Sequence, residues 1–349
     1  MKKSARDRII VWSIISVLLI GVLVTGIHAT MRFSESVSNF FDIEIPSKNL
    51  DSYNSGNSNF APDKINSINI NWVNGDVKII EGDVKEISIS ETANESLTDN
   101  EKMRYHLNND GKLEIYSGKM KVKFFDLFGK NMKSKTLTVT IPKKINDGIV
   151  DSDFKLEDLK ISSASAPVLI ENINSEDIEV ETASGNVTLT NTNSKNSDIT
   201  TVSGTIDLDM ITSESIETES VSGKVNVSGN YKDLNSSTIS GKIQAELGNT
   251  KTDNLTDSLF ALAGKVPQEN INLDSVSGKI EIIAPENIAG FTVNHDSISG
   301  NFNCDFANLS NGETFTDKED KFTYGDASGN ATEINASTVS GGIIITATK

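Results

Sequence analysis

Short runs of alternating apolar and polar residues dominate the chain from about residue 65 onward. Apolar residues recur two positions apart, as in Ile68 and Ile70 or in Val187 and Leu189. This spacing places successive apolar side chains on one face of a β-strand. The pattern therefore predicts an all-β protein whose strands each bury one face.

A Ser-Gly dipeptide recurs along this pattern, and apolar residues follow two and four positions after each glycine. The seven repeat glycines are Gly185, Gly204, Gly223, Gly241, Gly278, Gly300 and Gly341. Most steps between them are nearly equal, but the steps to Gly278 and to Gly341 are about twice as long, so each holds an insertion or a degraded copy. A fixed period of this length is typical of a solenoid, in which each unit buries its apolar face on its neighbours. We therefore predict a single-stranded β-helix, or β-solenoid, with coils of about 19 residues.

At the Ser-Gly dipeptide the apolar residues move from one set of alternate positions to the other. A regular strand cannot make this change without a bulge or corner, so the pattern predicts a corner there. Glycine at a corner either adopts a positive φ or lets neighbouring coils approach closely. Ser or Thr stands three positions before each glycine, and such stacked hydroxyls can bond along the axis from coil to coil. A stacked meander or sandwich of the same strands is the alternative, and periodicity leaves the handedness open.

The regions outside the repeats predict further parts of the chain. Residues 64–150 carry strands without the Ser-Gly unit, and we interpret them as an N-terminal β cap on the repeats of residues 151–349. Residues 30–63 are rich in Ser and Asn, which indicates a stalk or linker. One helix is predicted from Leu255 to Ala263, inside the long step that ends at Gly278.

An uncharged apolar run from Ile9 to Ile27 follows four basic residues at the N-terminus. Nineteen helical residues span about 28 Å, close to the hydrocarbon thickness of about 30 Å. We predict a transmembrane anchor over residues 9–29, a cytoplasmic tail of residues 1–8 and an extracytoplasmic remainder, because the basic flank stays inside. A cleaved signal peptide is the alternative, although a cut after Ala29 would leave Ile27 where a small residue is preferred. The anchor residues are Ile9, Val11, Trp12, Leu18, Leu19, Val24 and Ile27.

Composition narrows the classes of partner. The chain has 32 basic and 49 acidic residues, a net charge of −17, so it would repel the phosphates of nucleic acid. Cys304 is the single cysteine, which excludes an intramolecular disulfide. The three histidines stand at no metal-ligand spacing, and no Gly-rich phosphate loop occurs. We therefore expect no cofactor, no metal and no nucleic acid.

One basic segment, residues 119–135, departs from this acidic balance, with six lysines and one aspartate. Apolar residues alternate with its lysines, and we hypothesise a hairpin that contacts anionic lipid headgroups or an anionic wall polymer. The alternative is an amphipathic flap that covers the end of the solenoid. The contact residues would be Lys119, Lys121, Lys123, Phe124, Phe125, Phe128 and Lys130.

Carboxylates in pairs two positions apart lie on one face of a strand. The pairs are Glu179/Glu181, Asp207/Asp209 and Glu217/Glu219. Asp198 stands one repeat period from both Glu179 and Glu217, so stacked coils would align the three in one column. Such carboxylates suit glycoside hydrolysis or a bridging calcium ion. We favour a solvated acidic face, because no convergent aromatic or basic residue accompanies them.

These motifs resemble the bacterial "putative adhesin" family of β-strand-repeat domains of unknown function, which includes LiaG-like envelope proteins. The resemblance covers roughly residues 65–349 and rests on the Ser-Gly units together with Trp72–Val77, Leu137–Pro142, Tyr324-Gly325 and Thr338–Gly341. It implies an extracytoplasmic β-solenoid-like domain, tied in some cases to envelope-stress systems, and it carries over no catalytic residues.

We therefore predict a single-pass membrane protein without enzymatic activity that acts by surface contact. Its role would be adhesin-like or accessory to a cell-envelope stress response, with a wall polymer or another envelope protein as partner. A sensor ectodomain with a membrane partner is the alternative. A polysaccharide-active β-helix enzyme represents the opposing class.

Overall fold

A computed structural model describes residues 50–119, 133–146, 151–247, 268–286, 288, 290–306, 316–318, 321–325 and 332–348. Two short 3-10 helices, Leu50–Ser52 and Pro62–Lys64, accompany the strands. The strands β1 to β26 are, in chain order, Asn54–Ser55, Ser58–Phe60, Ser67–Trp72, Gly75–Gly82, Ile87–Ala93, Arg104–Leu107, Lys112–Tyr116, Lys135–Pro142, Lys144–Asn146, Asp151–Asp153, Leu156–Ser163, Val168–Glu171, Ser175–Thr182, Val187–Thr190, Asn193–Thr201, Ile206–Ser220, Val225–Thr238, Ile243–Glu246, Asn270–Ser275, Ile280–Pro285, Gly290–Ser297, Phe302–Cys304, Thr316–Lys318, Lys321–Gly325, Thr332–Thr338 and Ile343–Thr348. The prediction of an all-β fold is confirmed.

Several predicted features lie outside the described residues. These are the anchor over residues 9–29, the tip of the basic segment at residues 120–132 and the helix from Leu255 to Ala263. Among the residues that the structure describes, no helix is long and apolar enough to cross a membrane.

The repeats stack through two parallel ladders, one on each side of the Ser-Gly corner. In the front sheet, which precedes the corner, the spatial order is β7-β3-β11-β13-β15-β16-β17-β19-β25-β21. In the back sheet, which follows it, the order is β8-β4-β12-β14-β16-β17-β18-β20-β26-β22. Strands β16 and β17 contribute to both sheets. The registers pair positions one repeat period apart, as in Ile178 with Ser197 and Val225 with Ile243. The arrangement is therefore a solenoid-like stack.

The core consists of stacked columns of apolar side chains. Each column contains the residues that occupy the same inward-facing position in successive coils. Strand β14 buries Val187 and Leu189 completely, and its registered neighbours Ile206 and Leu208 are also fully buried. Each such side chain stabilises the stack by about 1.5–3 kcal/mol relative to its exposed state. A single coil cannot bury these side chains alone, so the coils fold as a stack.

The ends of the stack do not follow chain order. The last strands, β25 and β26, lie between β19/β20 and β21/β22, so the C-terminal coil is inserted one place from the end. The coil of β3 and β4 is likewise enclosed by β7/β8 and β11/β12. Antiparallel strands β6, β1, β5 and β2 extend the sheets at one end, and β24 and β23 do so at the other. These additions cover strand edges that would otherwise pair with other chains.

The N-terminal region differs from the predicted division into a stalk and a cap. Strand β1 pairs with β6, β2 pairs with β5, and the Tyr53 hydroxyl donates a hydrogen bond to Glu114 over 2.6 Å. The Phe60 ring also meets Tyr105 edge-on. The folded domain therefore begins before the predicted boundary at residue 64, because the end of the stack requires cover that residues 50–60 supply. Two coils of the stack itself, β3/β4 and β7/β8, come from the predicted cap.

Candidate functional site

The repeat glycines form a column in which neighbouring backbones nearly touch. A Cβ atom on any of the seven would lie 1.6–2.1 Å from the carbonyl oxygen of the residue stacked next to it. None of the seven has a positive φ among the described residues. Of the two roles predicted for these glycines, close approach is therefore the one that the structure requires.

The hydroxyls three positions before the glycines close each corner within its own coil. The Gly204 N–H donates to Thr201 Oγ1 over 2.9 Å, and the Gly223 N–H donates to Ser220 Oγ over 2.7 Å. The same bond recurs at the corners of Gly185, Gly241, Gly278 and Gly300. The hydroxyls thus accept mainly within their own coil, because the glycine N–H needs an acceptor at the corner. A bond from coil to coil, as the sequence predicted, occurs at Ser297, whose Oγ donates to the Gly341 carbonyl oxygen over 3.4 Å.

Bonds from coil to coil also occur in a column of asparagines on the outer face of the front sheet. The amide groups of Asn235, Asn272, Asn335 and Asn294 are linked in this spatial order over 2.8–3.0 Å. The chain order differs, since Asn335 lies between Asn272 and Asn294. The column provides a regular row of amides at the coil spacing of about 4.8 Å.

An acidic column continues this face toward the N-terminal end. The parallel register sets Glu179 beside Asp198 and Asp198 beside Glu217, as the repeat period predicted. Partial burial, followed by the charges of Glu217 and Glu179, raises the pKa of Asp198 to about 6. Burial is also the main cause that raises the pKa of Glu181 and of Glu219. Lys160 pairs with Glu179 at one end of the column.

We expect the acidic column to make the folded state more stable in mild acid. The folded pKa of Asp198, about 6, lies above the ordinary value of 3.8, so the folded state gains a proton before the unfolded state does. Stability should therefore rise as the pH falls from about 7.5 through 6. Thermal melts of Asp198→Asn should show a higher midpoint than wild type near neutral pH and a weaker gain on acidification. Glu171→Gln, which removes an exposed carboxylate of the back sheet, is the matched control. The same pH response in Asp198→Asn and wild type would contradict this prediction.

The structure separates the other predicted carboxylate pair from this column. Asp207 and Asp209 lie on strand β16 after the Ser-Gly corner and face outward from the back sheet, whereas Glu217 and Glu219 face outward from the front sheet. No group of three or more His, Cys, Asp or Glu side chains within the described ranges is arranged to hold a metal ion. Because they face outward from different sheets, Asp207/Asp209 and Glu217/Glu219 cannot act together on one substrate atom.

Asp207 and Asp209 line a polar groove of about 340 Å³ on the back sheet. The groove also contains Lys224, Asn226 and Glu246. The pairing of β16 with β17 is irregular between Leu208 and Ile211, next to the groove. The repeat pattern alone does not group these residues, although the shortened step that ends at Gly241 marks where the coil geometry changes.

Ion pairs connect both described flanks of the basic segment to other residues at the N-terminal end of the stack. Lys119 Nζ lies 2.8 Å from Asp51 and 3.4 Å from Asp99, and Lys133 Nζ lies 3.0 Å from Glu101. The hydrogen bond to Asp51 raises the pKa of Lys119. Of the predicted contact residues, Lys119 therefore forms ion pairs within its own chain. The others, Lys121, Lys123, Phe124, Phe125, Phe128 and Lys130, lie outside the described residues.

The repeat region matches one described protein family. The family described as Toastrack DUF4097 matches residues 65–346. The crystal structure of "a putative cell adhesion protein" from Clostridium sporogenes ATCC 15579 is 16% identical, with a TM-score of 0.26, and covers 85% of this chain and 100% of its own. No curated protein matches the chain. The resemblance to a β-strand-repeat family of unknown function is confirmed.

Proposed function

The chain belongs to the Toastrack DUF4097 family, and on this premise we propose that it is an extracytoplasmic β-repeat protein that acts by surface contact. The observation that carries the proposal is the outer surface of the stack, where polar side chains form regular columns on both sheets. The interior is filled with apolar side chains, so binding takes place on the outside. Long faces with a constant repeat suit an extended partner or a neighbouring surface.

The proposed membrane anchor, residues 9–29, would join the stack at the end that carries the basic segment. Residues 50–60 pair with the strands of the N-terminal end, and Lys119 is bound there to Asp51. Residues 50–60, which follow the proposed anchor and linker in the chain, and the described flanks of the basic segment therefore lie at the same end of the stack. This placement supports contact between the lysines of the tip and anionic lipid headgroups, with an anionic wall polymer as the second candidate.

The role that we propose is adhesin-like or accessory to an envelope-stress response. A sensor ectodomain that works through a membrane partner is the alternative. We propose no enzymatic activity. The separation of the two carboxylate pairs onto opposite sheets supports this choice.

Vesicle and wall-polymer binding by the extracytoplasmic part tests the contact surface. The triple variant Lys121→Glu, Lys123→Glu, Lys130→Glu should lose most binding to vesicles with anionic lipid, and wild-type binding should weaken with salt because the contact is electrostatic. Retained polymer binding in the triple variant would assign the tip to lipid, and loss of both would assign it to anionic surfaces in general.

The control for this experiment carries the same charge change elsewhere. Lys78→Glu, Lys195→Glu and Lys321→Glu alter three exposed lysines outside the basic segment and should leave binding nearly unchanged. Equal binding by both triple variants and the wild type would refute the proposed contact. In intact cells, a membrane-impermeant maleimide should label Lys195→Cys in a Cys304→Ala background if the domain is extracytoplasmic.

A further inference from the structure

An apolar ridge runs along the Ser-Gly corner in the C-terminal part of the stack. Six successive coils place a β-branched residue two positions before the repeat glycine, in the spatial order Val202, Val221, Ile239, Val276, Val339 and Ile298. Five of them are half-buried, and Ile298 is 56% exposed. An exposed serine follows each one. At about 4.8 Å per coil the ridge is about 24 Å long.

At two of its six levels the ridge carries opposite charges on its two flanks, while Lys242 and Asp296 stand on the flanks at two other levels without an opposite charge across the ridge. On the front-sheet flank, four positions before the glycine, stand Glu219 and Asp274. On the back-sheet flank, one position after the glycine, stand Lys224 and Lys279. Glu219 and Lys224 belong to one coil, and Asp274 and Lys279 belong to another. Lys224 is exposed and has no ion-pair partner within the described part of the chain, whereas Lys279 lies 3.4 Å from Glu281.

We propose that two copies of this chain pack side by side in parallel along the ridge, about a twofold axis parallel to the stack. That symmetry sets the front flank of each copy opposite the back flank of the other at the same level. Glu219 then faces the partner's Lys224, and Asp274 faces the partner's Lys279, each twice because the contact is isologous. An antiparallel pair would instead oppose front flank to front flank, which brings carboxylates together.

A second copy also fits the ridge better than other partners do. Its β-branched residues repeat at the same coil spacing, so the two ridges stay in register along their whole length. The outer face of the front sheet carries the acidic column of Glu179, Asp198 and Glu217, which would repel the same column on another copy. The uncharged ridge therefore offers the contact with the least repulsion between two acidic chains. This inference stands independently of the proposed function.

Disulfide cross-linking of the purified full-length chain, in a Cys304→Ala background, tests the arrangement. Ser222→Cys and Ser277→Cys should each form a covalent dimer, because a parallel twofold axis sets every ridge residue opposite its own copy. An antiparallel pair would cross-link at one of these levels at most. Lys195→Cys, which is exposed and lies away from the Ser-Gly corner, is the control and should remain monomeric. Dimers from only one ridge cysteine, or equal dimers from Lys195→Cys, would overturn the proposal.

Charge exchange provides a second, independent readout on the Ser277→Cys chain. Lys224→Glu and Glu219→Lys should each lower the cross-linked fraction by roughly threefold, since each leaves like charges facing across the twofold axis. The double exchange restores opposite charges and should recover the dimer. Failure of the double exchange to recover it, while the melting temperature matches that of wild type, would contradict the parallel pairing.

Discussion

Gly341→Ala should melt at a much lower temperature than Gly342→Ala, although the two glycines are neighbours in the chain. A Cβ atom on Gly341 would lie 1.8 Å from the Gly278 carbonyl oxygen, and backbone cannot rotate away as a flexible side chain can. The coils would have to separate at that corner and lose both ladder bonds and core contacts. We expect a loss of about 3 kcal/mol or more, the upper range for an overpacked core.

Gly342 is the matched control because the nearest atom to its added Cβ, the Asn301 carbonyl oxygen, lies at an ordinary 3.5 Å. Gly342→Ala should therefore leave the midpoint of thermal unfolding, followed by circular dichroism, almost unchanged. About 1 kcal/mol shifts this midpoint by roughly 2 °C in a folded chain of this length, because the unfolding entropy grows with the number of residues. Equal midpoints for the two variants would show that the corner does not need the close approach.

Lys135→Met should destabilise the N-terminal end of the stack by about 3–5 kcal/mol, because it leaves the buried carboxylate of Glu91 without its cation. Lys135 Nζ lies 2.7 Å from Glu91 Oε1, and these side chains are only 7% and 6% exposed. The ammonium also donates to the carbonyl oxygens of Glu101 and Ser117 and lies 4.7 Å from the centre of the Trp72 ring. Burial lowers the pKa of Lys135, while Glu91 acts in the opposite direction.

The double variant Lys135→Met/Glu91→Gln separates the charge effect from the loss of packing. It removes both charges, and the introduced amide can still accept the Met103 N–H that Glu91 accepts over 3.0 Å. We expect it to be more stable than Lys135→Met alone in chemical denaturation followed by Trp72 fluorescence. A double variant no more stable than the single one would mean that the ammonium stabilises the cap through its carbonyl contacts rather than through Glu91.

Much of the repeat region was predictable because strand geometry leaves little choice. Alternation at Val187 and Leu189 assigns their inward direction, and the constant repeat period aligns Glu179, Asp198 and Glu217 once the coils are parallel. The acidic column therefore followed from spacing alone. The raised pKa of Asp198 did not, because it depends on how far neighbouring coils exclude water.

The carboxylates of β16 show where spacing stops being informative. Asp207/Asp209 and Glu217/Glu219 resemble each other as sequence pairs, and only the corner between them puts them on opposite sheets. The groove beside Asp209 depends in the same way on the irregular pairing between Leu208 and Ile211. Such shifts come from the backbone geometry of stacked coils.

The sequence by itself determined that the chain is all-β, that its units recur with a nearly constant period and which side chains point inward, since alternation and period are local properties. Only the tertiary structure decided that the coil of Gly341 lies between those of Gly278 and Gly300, and that residues 50–60 cover the opposite end. Both depend on pairings between strands that are far apart in the chain. Every parallel coil offers nearly the same edge to its neighbour, so the order at the ends is set by which strands best cover the last exposed edges.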